Sequence, residues 1–143
     1  MADPAPGASS ADMLEMARAA MARAYAPYSR FPVGAAVRGE SDALYAGCNV
    51  ENAAFPLGSC DEASAITAMV MAGERRILEV LVIGKAPALV SPCGGCRQRL
   101  HEFANDTTPV HMCDTDGLCC TVTLGELLPL SARMQLRREI RTD

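Results

Sequence analysis

Gly58-Ser59-Cys60-Asp61-Glu62 and Pro92-Cys93-Gly94-Gly95-Cys96 are the stretches that decide how this chain is read. A Cys-x-x-Cys pair can grip one face of a tetrahedral zinc, and a third thiolate from elsewhere leaves the fourth position open. An open position distinguishes a catalytic metal site from a structural one. Glu62 follows Cys60 by two residues, so on a first helical turn its carboxylate can reach water at the metal without binding the metal itself. Both stretches also read as helix starts. Gly58-Ser59 breaks the preceding pattern, and residues 62–72 follow as good helix formers with apolar residues three and four apart. Pro92 precedes Cys93 where a second helix begins and runs through Gln98, Leu100 and Phe103. Both sets of thiols then sit at positive helix ends, which favour ionised sulfur.

Outward from these two helices the pattern is regular. Ser10 or Asp12 is the expected cap of a first helix, in which Met13, Leu14, Met16, Ala17, Ala20, Met21 and Ala24 recur at helical spacing as a core stripe. Tyr25-Ala26-Pro27-Tyr28-Ser29-Arg30-Phe31-Pro32 ends it and carries three of the six aromatics. Those rings either form a stacking wall or cover the edge of the core. Residues 33–37 read as a strand whose small residues allow close backbone approach, and Gly39-Glu40-Ser41-Asp42 as a hairpin turn into a second strand over 44–50. Asn49, Glu51 and Asn52 then cluster at a strand end, suited either to ligand hydroxyls or to local turn bonds.

Residues 77–83 read as a buried strand, with a loop around Pro87 and a short apolar run at Leu89-Val90 before Pro92. Val110-His111-Met112-Cys113 and Cys119-Cys120-Thr121-Val122 form strands on either side of Asp114-Thr115-Asp116-Gly117, which is hairpin material. Helical pieces before and after Pro129 complete the chain. This order predicts an α/β fold, a three-layer α-β-α arrangement around a mixed five-stranded sheet. Residues 1–9 are expected to be a disordered tail, 10–143 one domain, and the part beyond about 130 its divergent end.

Composition narrows the function. The chain has 143 residues, half of them apolar, which suits a single core. Its formal net charge of -4 supplies no basic field for polymeric nucleic acid. Seven cysteines, an odd number, and no secretory apolar region favour a reduced, cytoplasmic protein, and no apolar run is long enough to imply a membrane role. Cys48, Cys113, Cys119 and Cys120 fall in apolar strand patterns and are expected as buried thiols. His101 is expected on a helix surface and His111 in a strand, and Arg137-Arg138 as a solvated pair.

Four ordered blocks carry a family resemblance: Tyr28-Ser29-Arg30-Phe31-Pro32-Val33-Gly34-Ala35-Ala36, Gly47-Cys48-Asn49-Val50-Glu51-Asn52-Ala53-Ala54-Phe55, Cys60-Asp61-Glu62, and Pro92-Cys93-Gly94-Gly95-Cys96-Arg97-Gln98. The sequence resembles the small, homotetrameric, zinc-dependent cytidine deaminases over residues 13–128. The resemblance implies that Cys60, Cys93 and Cys96 hold Zn2+, and that Glu62 takes a proton from water at the zinc and returns protons to the cytosine ring and departing amine. Cytidine or deoxycytidine would then yield uridine or deoxyuridine and ammonia, a step of pyrimidine salvage. It also implies that Asn49 and Glu51 bond the ribose, that Phe31 lines the base pocket, and that backbone near Ala53 and Ser91 reads the base edge.

Several positions depart from the family pattern. Ala63 stands where an arginine often softens the thiolate charge, which leaves Arg97 and the helix ends as candidates for that role. Asp61 replaces the usual alanine, Phe55 a common tyrosine, and Ala132 the aromatic expected after Leu127-Leu128-Pro129. Asp61 and Ala132 keep a deaminase of modified cytosine nucleosides, of the blasticidin S type, as the alternative enzyme. Two further alternatives are a structural zinc module closed by a fourth ligand from Cys48, Cys113, Cys119, Cys120, His101 or His111, and a redox pair at Cys93 and Cys96.

Overall fold

In the computed structural model, residues 9–85, 87, 89–117 and 119–133 are described. Residues 1–8 of the expected 1–9 tail, the piece after residue 133 and the Arg137-Arg138 pair lie outside them, while Ser9 is described as part of the α1 cap. Helix α1 (Ser10–Met21) is followed by strands β1 (Val33–Gly39) and β2 (Leu44–Cys48), helix α2 (Asp61–Met71), strand β3 (Ile77–Gly84), helix α3 (Gly94–Phe103), strands β4 (Pro109–Asp114) and β5 (Cys119–Thr123), and helix α4 (Leu124–Leu127). That is the expected order. A short 3-10 turn at Phe55–Leu57, with Pro56 in its first turn, is an addition the periodicity did not signal.

The five strands form one mixed sheet in the order β2-β1-β3-β4-β5. Only the β3–β4 pair is parallel, because α3 carries the chain back across the sheet between them. Alternation along the strands gives each face its own core. Ala35, Val37, Val80, Val82 and Val110 pack with Ala65, Ile66, Met69 and Leu100 of α2 and α3. Ala36, Leu81, Ile83 and Cys113 pack on the other face with Met13 and Ala17 of α1. Of the α1 stripe, Met13 and Ala17 are core and Leu14 and Met21 pack against it, whereas Met16 is exposed; the three layers are helix, sheet, helix. Its cap is Ser9 rather than Ser10. Ser9 Oγ accepts from the Asp12 amide at 3.2 Å, and the Asp12 carboxylate accepts from the Ser9 amide at 2.7 Å, a reciprocal capping box.

Two glycines set how closely the helices approach. A Cβ on Gly34 would lie 2.2 Å from the Ala17 carbonyl oxygen, and one on Gly47 would lie 2.4 Å from both the Asp61 oxygen and the Ala65 nitrogen. The second contact places the first turn of α2, and with it Cys60 and Glu62, directly against β2. Gly47→Ala should cost about 1–3 kcal/mol through backbone displacement. Thermal unfolding measures the loss, and a fall in bound metal shows that the displacement reaches the site.

Two expectations about side chains need correction. Cys113 and Cys119, paired across β4 and β5, form a disulfide, and only Cys113 is buried. Cys120 is an exposed thiol and Cys48 a half-buried one. They fail as four buried thiols because the hairpin places residues 113 and 119 at equal distances from its turn, directly opposite each other. His101 is not on the helix surface: it is 1% exposed, enclosed by α4 and the segment that follows it.

Candidate metal centre

Cys60 is the N-cap of α2 and Cys93 the N-cap of α3, while Cys96 is the third residue of α3. Cys60 makes no capping bond to α2, and Cys93 receives only the Cys96 backbone N–H from α3, which leaves both sulfurs able to bind an external partner. The three Sγ atoms lie within 4.8 Å of one another, and Cys60 and Cys93 are 3.9 Å apart. Zn–S bonds of about 2.3 Å in a tetrahedron require sulfurs about 3.8 Å apart, so the spacing and donor set fit zinc. Among the described residues no further Cys, His, Asp or Glu joins this cluster.

Of the six candidate closing ligands, Cys48 and Cys120 are free thiols outside the cluster and the other four have partners of their own. Cys113 and Cys119 bond each other. His101 faces the Leu124 carbonyl through Nε2 and Ser131 and Arg133 through Nδ1. His111 joins Thr121 at 2.7 Å and Glu79 at 2.5 Å. Cys93 and Cys96 are both free thiols in company with Cys60, so the redox-pair alternative loses its motivation.

The carboxylates explain the electrostatics. Glu62 is 3% exposed and Asp61 is 5% exposed, both in the first turn of α2. Burial is the main force raising the Cys60 and Cys96 thiols above their ordinary range. For Cys93 burial also acts upward, but the Cys96 backbone N–H and the neighbouring thiols outweigh it, and the net shift is downward. Glu62 opposes ionisation at all three sulfurs while it stays outside the ligand cluster. A bound dication reverses that balance, since it favours thiolate and carboxylate alike. Burial, and then the adjacent Glu62, hold Asp61 well above the usual carboxylate range.

The model for the zinc-binding region of cytidine and deoxycytidylate deaminases matches residues 8–112. The chain belongs to that family. It is 38% identical over 117 residues to a cytidine deaminase of Sporosarcina psychrophila, covering 82% of this chain and 86% of that one. A cytidine deaminase of Mycobacterium tuberculosis is 41% identical over 110 residues, covering 77% and 79%. The crystal structure of cytidine deaminase from Burkholderia pseudomallei superposes with a TM-score of 0.82 at 36% identity, covering 87% of this chain and 99% of that one. Zinc is accordingly the metal this family site takes, and the structural-module reading lacks the fourth protein ligand it requires.

The residues expected at the substrate side are grouped less simply. Glu51 lines a cleft of about 400 Å³ together with Tyr28, Ser29, Asn52, Phe55 and Gly58. Its Oε1 accepts from the Tyr28 and Ser29 amides at 2.9 and 3.1 Å, and its bonds to Ser29, led by the side chain, hold it ionised. Asn49 bonds backbone as well: Oδ1 accepts from Val33 N and Nδ2 donates to Phe31 O, both at 3.0 Å. One amide hydrogen and one lone pair of Asn49 stay available for a ligand. Phe31 is 41% exposed with its ring toward Gly84, Ala53 is exposed beside the 3-10 turn, and Ser91 Oγ accepts from Arg97 at 3.2 Å. Tyr28 and Phe55 meet edge to face at 5.8 Å in the cleft wall, so of the three expected rings Tyr28 lines this cleft, while Tyr25 and Phe31 lie outside its lining.

Arg97 is not the cation that softens the sulfurs. Its guanidinium holds the Pro92 and Leu127 carbonyls, each at 2.8 Å, as well as Ser91. Arg99 lies on the sulfur side instead, with Nη1 donating to Cys96 Sγ at 3.4 Å. The sequence signal was the spacing of three from Cys96, one helical turn along the same face.

Proposed function

We propose that this protein hydrolytically deaminates cytidine and deoxycytidine to uridine and deoxyuridine with release of ammonia. A buried carboxylate two residues from Cys60, which interacts electrostatically with all three sulfurs without joining them, carries this reading, because that arrangement leaves a metal corner open near a proton carrier. Cys60, Cys93 and Cys96 hold the zinc, which when bound supplies a Lewis acid able to activate water near neutral pH. Glu62 accepts a proton from the attacking water and delivers protons to the ring nitrogen and the departing amine, while C4 exchanges nitrogen for oxygen. Its burial keeps competing bulk water from the proton path.

Glu51, already ionised, and the free amide hydrogen of Asn49 address the ribose hydroxyls. The other bonds of Asn49 fix the backbone that carries Phe31, whose ring lines the base. Backbone at Ala53 and Ser91 meets the base edge. The domain spans 10–143 with a divergent end, acts in the cytoplasm in pyrimidine salvage, and assembles as a homotetramer. Phe55 and Leu57, 75% and 72% exposed beside the cleft, support the assembly as apolar surface suited to another copy. Among the described residues no helix is long and apolar enough to cross a membrane.

The test is ammonia release from cytidine, deoxycytidine, 5-substituted cytidines and free cytosine, assayed on the species resolved by sedimentation. Turnover of the unmodified nucleosides by a tetramer is expected. A zinc-loaded protein that releases ammonia from none of them overturns the activity, and an active monomer overturns the assembly.

A further inference from the structure

Three thiolates around one dication leave a net negative charge, and the charge of Glu62 opposes theirs further. Each sulfur has a different source of relief. Cys60 caps α2 and Cys93 caps α3, where helix ends favour negative charge, and Cys93 also receives the Cys96 backbone N–H. Cys96 is inside the helix and 0% exposed, so of the three it is the one whose charge is most costly to bury. Ala63 offers it nothing, and Arg97 is turned to Pro92, Ser91 and Leu127. Among the described cationic side chains, Arg99 is the one that bonds a sulfur of the cluster. A Cβ on Gly95 would sit 3.6 Å from Arg99 Nη1, in ordinary contact, so the guanidinium rests against the first turn of α3 on its way to the sulfur.

We propose that Arg99 is a positioning residue of the metal centre, acting through Cys96: its N–H···S bond draws electron density from the most buried ligand and keeps the three-sulfur set from quenching the acidity of the metal. This rests on the zinc-deaminase reading above. Hydrogen bonds to ligand atoms tune metal sites in this way, and losing one typically costs about 10–100-fold in affinity or activity. Arg99 is exposed apart from this contact, so its removal does not open the core.

Cobalt substitution gives a readout independent of turnover. A weaker hydrogen bond makes the thiolate a stronger donor, so Arg99→Met should move the sulfur-to-cobalt charge-transfer band to longer wavelength. The same loss of positive charge should shift the acid limb of kcat/KM to higher pH in the zinc enzyme and lower kcat/KM at neutral pH by about tenfold. Arg99→Lys, which retains the charge on a different donor, should restore part of both shifts. An unmoved band and acid limb in metal-loaded Arg99→Met overturn the role of Arg99 alone. A wild-type cobalt protein with no thiolate band overturns the ligand assignment, and this proposal with it.

Discussion

Glu62→Gln is expected to retain one zinc per chain while turnover falls by about 10²–10⁴-fold, the usual share of a positioned acid-base group. Glutamine keeps the shape of the side chain in the first turn of α2 but cannot accept a proton. Zinc should be held at least as firmly as in the parent, because the negative charge of Glu62 opposes ionisation at Cys60, Cys93 and Cys96 and the amide removes that opposition. Metal content by atomic emission and kcat from ammonia release separate the two effects. Near-normal turnover would show that another group carries the proton.

Cys93→Ala should lose the metal, and with it activity. Cys93 is exposed at the N-cap and its one bond to its own helix is the Cys96 backbone N–H, so the substitution removes little packing. Any large fall in stability therefore reports the lost metal, since a site that forms only in the folded chain links binding to folding. With free zinc a thousandfold above the dissociation constant, that linkage is worth about 4 kcal/mol. The melting temperature of Cys93→Ala should match that of the wild-type protein stripped by a chelator, and both should lie below the zinc-loaded wild type. Full zinc occupancy in the variant would mean that a different residue is the ligand.

What the sequence made legible was whatever depends on local order. Helix starts at Cys60 and Cys93 followed from a glycine break and a proline, and the strand order followed from period-two runs between turn residues. The small residues of β1 announced the close contact found at Gly34. What stayed hidden depends on which side of an element a long side chain takes. Arg97 and Arg99 are two residues apart on one helix, yet one reaches main-chain oxygens and the other a sulfur. Adjacency in sequence pointed to Arg97, whereas helical geometry favours the residue one turn away. Asn49 and Glu51 were visible as a polar pair, but their bonds to Phe31, Val33, Tyr28 and Ser29 required the β2 end and the preceding loop to meet in space. The Cys113–Cys119 bond was hidden for a different reason: alternating cysteines in a strand look alike until the hairpin register is known.

The bonds from α3 to the end of the chain help to explain how the final segment can drift in sequence. Arg97 grips the carbonyl of Leu127 and Gln98 that of Ala132, so these two tethers ask for main-chain oxygens and are indifferent to the side chains at both positions. An alanine at 132 therefore leaves its tether to the zinc-binding helix intact. Selection can rewrite the side chains of this terminus while the loop entering Cys93 stays anchored by Arg97 to the Pro92 carbonyl.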